Sequence, residues 1–259
     1  MAAMIFLTAL SGTAQAAEPS NDALIDQLAT LHADTVGIAS GGVYDSFIAE
    51  DGLPRFEMGL LPVDSVDVPA PMRALVRRGA AALPALLAHL GDARPTGIVV
   101  SMAIGGKEVP FNQFFSDEYD PRYAKDRAKD CTWGMNCREM RAPYTVKIGD
   151  VCEVLIGQIV NRNLIAARYQ PTMLFYVNSP IETPSIAAWV KRDWTGLDAA
   201  TLEASLLADL RGSEDWRSDG ALRRLRYYDP DTYAALAGTD RAKRDTFETQ
   251  ERREKAGQK

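Results

Sequence analysis

The sequence predicts a mainly α protein, an antiparallel array of helices with an irregular loop-rich insertion over 96–144 and few short strands. Three observations carry that expectation. The run Gly149-Asp-Val-Cys-Glu-Val-Leu-Ile-Gly-Gln-Ile-Val-Asn161 is apolar at Val151, Cys152, Val154, Leu155, Ile156, Ile159 and Val160. On a helical period of about 3.6 residues these leave only a narrow polar stripe through Asp150, Glu153, Gly157 and Asn161, so neighbours must cover this helix on several sides. Leucines at helical spacing recur at Leu83, Leu86, Leu87 and Leu90, and again at Leu202, Leu206, Leu207 and Leu210. Helix punctuation recurs as well, with caps at Ser20-Asn-Asp22, Thr183-Pro184 and Asp198 and stops at Gly79, Gly91 and Gly212.

In chain order, Met4-Ile-Phe-Leu-Thr-Ala-Leu10 followed by Ala14-Gln15-Ala16 has the form of a secretory signal peptide over 1–16. The apolar run is shorter than the ~20 residues a bilayer span needs, so no membrane span is expected after cleavage. One helical domain over 17–238 follows, then a charged tail over 239–259 with no aliphatic side chain larger than alanine. Leu24, Ile25, Leu28 and Leu31 stripe a first helix, with His32 at its edge. The Gly-, Pro- and Asp-rich stretch 35–69 is long for a loop in a compact domain and offers a surface for binding. Pro71 begins a helix through Met72, Leu75 and Val76 that ends at Gly79, and Pro84 sits in the first turn of the next. In the central helix, Asp150 three residues before Glu153 has capping-box spacing and places the helix start there. Gly157 costs about 1 kcal/mol relative to alanine, which implies close approach of another helix. Further helices are expected over 219–228 and 230–237.

Composition bounds the function. The 259 residues are 46% hydrophobic and 25% charged, with net charge -6 and pI near 5.1, which argues against a nucleic-acid binder. Cys131 and Cys137 bracket Thr-Trp-Gly-Met-Asn, a turn able to close as a disulfide loop in an oxidising compartment. Cys152 falls in the apolar helix and reads as a buried thiol. Zinc would need further ligands, and only His32 and His89 are at hand. No P-loop, Gly-x-Gly-x-x-Gly, His-Glu-x-x-His or Gly-x-Ser-x-Gly occurs, and no cofactor, metal or catalytic residue is assigned. The most distinctive polar stretch is Phe114-Phe-Ser-Asp-Glu-Tyr-Asp-Pro-Arg122. Its Phe115, Asp117, Glu118, Tyr119, Asp120 and Arg122 form the candidate binding surface. Asp117, Glu118 and Asp120 are also the carboxylates that would serve calcium binding or acid/base hydrolysis, the neighbouring rings raising one pKa by desolvation.

The stretch Ala74-Leu-Val-Arg-Arg-Gly-Ala-Ala-Ala-Leu-Pro-Ala-Leu-Leu-Ala-His-Leu-Gly-Asp92 resembles a HEAT-type repeat, in which a short helix ends in Gly and an Ala/Leu/Pro-rich partner packs antiparallel to it. With Phe115-Ser-Asp-Glu-Tyr-Asp-Pro-Arg122, Gly149-Asp-Val-Cys152, Gly157-Gln-Ile-Val-Asn-Arg162 and Arg168-Tyr-Gln-Pro171, the chain resembles exported bacterial proteins built around a HEAT-like hairpin. That resemblance implies a shared fold over much of 75–233 and carries no substrate. The expectation is a periplasmic or secreted helical binding or scaffold protein for a cell-envelope protein or peptide. The alternative is an envelope hydrolase, with glycans as a candidate substrate, using the 117–120 carboxylates.

Overall fold

The structure is a computed structural model that describes residues 18–32, 47, 68–100, 117–119, 122, 144–164, 166–169, 175–177 and 179–245. The described chain is mainly helical, with two antiparallel pairs of short strands. Helix α1 spans Asn21–Gln27; its Ser20 cap accepts a hydrogen bond from the Ala23 N–H at 3.1 Å, and Leu24 and Ile25 are buried. His32 lies beyond that helix and not on it: it bridges to Gly97, whose N–H donates to the Leu31 carbonyl at 2.7 Å. A Cβ on Gly97 would sit 2.7 Å from that carbonyl, so the close approach requires glycine.

Helix α2, Ala70–Arg77, buries Met72, Leu75 and Val76; Gly79 then turns the chain at φ +55°. Helix α3, Leu83–Ala88, carries Pro84 in its first turn, where no intrahelical donor is lost, and buries Leu83, Leu86 and Leu87. Strand β1, Pro95–Val100, pairs antiparallel with β2, Tyr144–Lys147, in the register Val99↔Thr145 and Val100↔Tyr144.

Strand β2 runs directly into the central helix α4, Ile148–Val160, which packs against α2, α3 and the turn after α3. The cap falls three residues earlier than the Asp150–Glu153 spacing suggests. Lys147 is the cap, and Asp150, at the third helical position, reaches back to accept the Lys147 N–H at 2.8 Å. Apart from the half-buried Val154 and Gln158, every residue of α4 is buried. The polar stripe is therefore not a solvent stripe: Asp150, Glu153 and Asn161 are at most 1% exposed. Polar groups this deep require hydrogen-bonding partners. Asp150 accepts from Tyr144 Oη at 2.7 Å and Ser179 Oγ at 2.5 Å, and Asn161 caps the other end in the left-handed region at φ 60°.

Among the described residues, the nearest approach to Gly157 comes from the returning chain and not from another helix. The chain leaving α4 folds back on it, so a Cβ there would lie 2.6 Å from the Arg162 carbonyl oxygen and 3.0 Å from Leu164 Cβ. Replacing Gly157 with alanine is thus expected to destabilise the protein by about 1–3 kcal/mol, overpacking outweighing the gain in helix propensity. Equilibrium denaturation measures this; a stabilised variant would show that 162–164 yields freely.

Strands β3, Ala167–Tyr169, and β4, Phe175–Val177, pair antiparallel. Helix α5, Pro184–Trp194, buries Ile186, Val190 and Trp194. Helix α6, Ala199–Leu210, begins with a capping box in which Asp198 accepts from the Thr201 N–H at 2.9 Å. Helix α7, Asp215–Tyr228, starts four residues before the expected Asp219 and packs along α6; α8, Pro230–Ala235, is capped by Asp229. The tail keeps contact with the body over its first residues. Ala242 is buried, Asp245 meets Arg223 and Arg226, and Arg241 meets Asp215 and Asp219.

Candidate functional site

Two regions draw on the α6–α7 pair. The first is a seam that ties the acidic run to the end of α4. Glu118 N–H donates to the Asn163 carbonyl at 2.8 Å, and the Glu118 carboxylate meets Arg217 at 2.7 Å and Arg162 at 3.6 Å. Arg162 also reaches Asp209 at 2.5 Å and stacks over Trp194, its guanidinium 5.2 Å from the ring centre. Trp194 Nε1 donates to Tyr119 Oη at 3.1 Å. Asn161 Nδ2 donates to Asp209 and to the Arg217 carbonyl, while its Oδ1 accepts from Arg224 at 3.0 Å. The buried Arg224 further donates to the Gln158 and Gly220 carbonyls and lies 4.7 Å from the centre of the Phe47 ring.

This seam accounts for part of the candidate surface. Asp117 and Tyr119 are buried, at 2% and 1% exposure, and Asp117 accepts the Tyr119 N–H at 2.8 Å in a local turn. Burial pushes the Tyr119 hydroxyl well above its ordinary pKa. Arg122 pairs with Asp193 at 3.0 Å and lies over the Tyr119 ring. The outward groups of this segment are therefore Glu118, 25% exposed, and Arg122, 46% exposed. Phe115, Asp120, Cys131 and Cys137 lie outside the described residues, as does most of 35–69. Asp117 and Glu118 are occupied in holding the segment down, and the hydrolytic reading gains nothing from their placement. Among the described residues no group of three or more His, Cys, Asp or Glu is arranged to hold a metal ion, and no disulfide occurs. No described helix is long and apolar enough to cross a membrane.

The second region is a half-open cleft of about 1060 Å³ that the sequence reading did not single out. One wall is the end of α2 with the turn Gly79-Ala80-Ala81. The first half of α6 also lines it, with Ala199, Ala200 and Glu203 following the cap residue Asp198. Leu202, Leu206 and Leu225 supply apolar lining, and Tyr227, Tyr228 and Asp229 close the α7 end. Tyr228 Oη donates to the Val76 carbonyl at 2.6 Å and its ring lies 3.0 Å from where a Gly79 Cβ would stand. That contact fixes the width of the cleft and requires the glycine. Tyr227 and Tyr228 meet edge to face at 5.2 Å, and burial raises the Tyr227 pKa.

Charges on the rim are ordered by neighbours. Arg77 pairs with Glu18 at 2.8 Å, and Arg78 binds Asn21 and the Pro19 carbonyl, each at 2.5 Å. Opposite them, Thr232 stands between two carboxylates: its N–H donates to Asp229 at 3.1 Å and its hydroxyl to Glu203 at 3.2 Å. Hydrogen bonds from Thr232 hold Asp229 below the ordinary carboxylate range. The sequence signals for this cleft were the paired tyrosines before Asp-Pro and the small residues at 79–81 and 199–200, each unremarkable alone.

Comparison with protein-family models, curated proteins and solved structures finds no match for this chain.

Proposed function

We propose that this protein is an exported helical binding protein that holds an extended segment of a cell-envelope protein or peptide in the cleft between α2, α6 and α7. The observation that carries the reading is the cleft itself. At about 1060 Å³ it stands at the upper end of the roughly 300–1,000 Å³ of small-molecule sites, and it opens along one side. Small residues at 79–81 and 199–200 admit a polypeptide backbone, while Leu197 and the two tyrosines, all partly buried, offer apolar surface to its side chains. In this reading α2, Gly79 and α3 form one HEAT-like unit, and helical stacks of that kind present concave faces to peptides.

Mature protein tested against an array of random ten-residue peptides is expected to retain an apolar subset. Ala200 is exposed on the α6 wall, so Ala200→Trp should fill the cleft without disturbing the core and abolish that retention. Retention unchanged in the variant, or no peptide retained by either protein, would sink the proposal.

Export and a Cys131–Cys137 bridge belong to the same reading. Cys152 is fully buried and burial raises its thiol pKa far above the ordinary value. Alkylation without reductant should therefore leave the native protein unlabelled and add one label in denaturant, read by intact mass. Three labels in denaturant would remove the bridge.

A further inference from the structure

The cleft is electrically lopsided, and we propose that it selects a peptide carrying a lysine or arginine flanked by apolar side chains, an inference that rests on the cleft being a peptide site. The two arginines of one wall share one carboxylate. Glu18 lies 2.8 Å from Arg77 and 3.7 Å from Arg78. Three carboxylates, Asp198, Glu203 and Asp229, line the cleft with them, so with Glu18 the acids outnumber the two arginines by four to two. Glu203 and Asp229 are drawn together by Thr232, which occupies one oxygen of each. A carboxylate has two oxygens and about four acceptor positions, so both retain capacity for a donor arriving from the cleft. The tyrosine pair and the partly buried Leu197 line the same cleft.

An aliphatic stem packed on leucine, with a cationic head between carboxylates and an aromatic ring, satisfies both halves of a lysine or arginine side chain. An acidic side chain at that position would instead meet two like charges.

The test uses the mature protein and paired apolar decapeptides that differ at one central position: lysine, norleucine or glutamate. Fluorescence anisotropy is expected to give the lysine peptide roughly ten- to hundred-fold tighter binding than the norleucine peptide, the range for a hydrogen bond to a charged group. The glutamate peptide should bind weakest, and the lysine advantage should shrink as salt rises. Glu203→Gln keeps an acceptor for the Thr232 hydroxyl and is expected to remove most of the advantage while leaving norleucine binding unchanged. Equal binding of all three peptides, all lost in Ala200→Trp, would overturn the charge selection and leave the peptide site standing. An advantage that survives Glu203→Gln in a normally folded variant would equally overturn it. Binding indifferent to Ala200→Trp would instead refute the cleft as the site.

Discussion

Replacing Arg224 with alanine should destabilise the protein by about 3–5 kcal/mol, the range for removing one member of a buried, hydrogen-bonded charged group. Arg224 is 1% exposed, yet it sits in the middle of α7 where a leucine would be expected. Its guanidinium serves acceptors on two helices, among them the Gln158 and Gly220 carbonyls and Asn161 Oδ1. Truncation leaves all three in a site closed to water, and opens a void against Phe47. Lysine should recover less than half of the loss, because a single ammonium cannot span acceptors that a planar fork reaches together. Chemical denaturation gives the number, and a cost under about 1 kcal/mol would mean that water enters the seam freely.

Asp150→Ala should cost about 2–4 kcal/mol, since it removes the reciprocal cap of α4 and strips acceptors from buried hydroxyls. Tyr144 Oη at 2.7 Å, Ser179 Oγ at 2.5 Å and the Lys147 N–H at 2.8 Å all donate to this one carboxylate. Burial pushes the Asp150 carboxyl above its ordinary value, opposed by the hydrogen bonds from Ser179, Lys147 and Tyr144. A raised carboxyl pKa means that the folded protein binds the proton more tightly than the unfolded chain does. The stability linked to that proton is full below the unfolded value of about 3.9, and is lost as pH rises through the folded value. The wild type should therefore lose stability across that interval relative to Asp150→Asn, which has no proton to release. Parallel slopes for the two proteins would place the pH dependence elsewhere.

The central helix was legible because a run apolar on nearly every side admits no other placement. Its register was not. The cap falls on Lys147, a residue with no capping preference, because β2 pairs with β1 up to that position and hands the chain directly to the helix. The direction of the polar stripe was equally hidden, since Asp150 meets Ser179 and Asn161 meets Asp209 and Arg224 across 29 to 63 residues of sequence. Gly157 signalled a close approach correctly, but the partner is the returning chain at 162–164. The runs around Glu118 and Arg162 each stood out as unusual, while nothing local showed that they meet. The cleft was the least legible feature. Its walls are alanines and a glycine at 79–81 and 199–200, ordinary helical residues until Tyr227 and Tyr228 close the third side.

The most direct measurement is amide hydrogen exchange on the protein with and without a retained apolar-basic peptide. Binding in the cleft predicts added protection at 77–81, 198–206 and 225–229, with little change at 117–119. Protection gathered on Glu118 and its neighbours, with the three cleft segments unchanged, would contradict the account and move the binding surface to the acidic run.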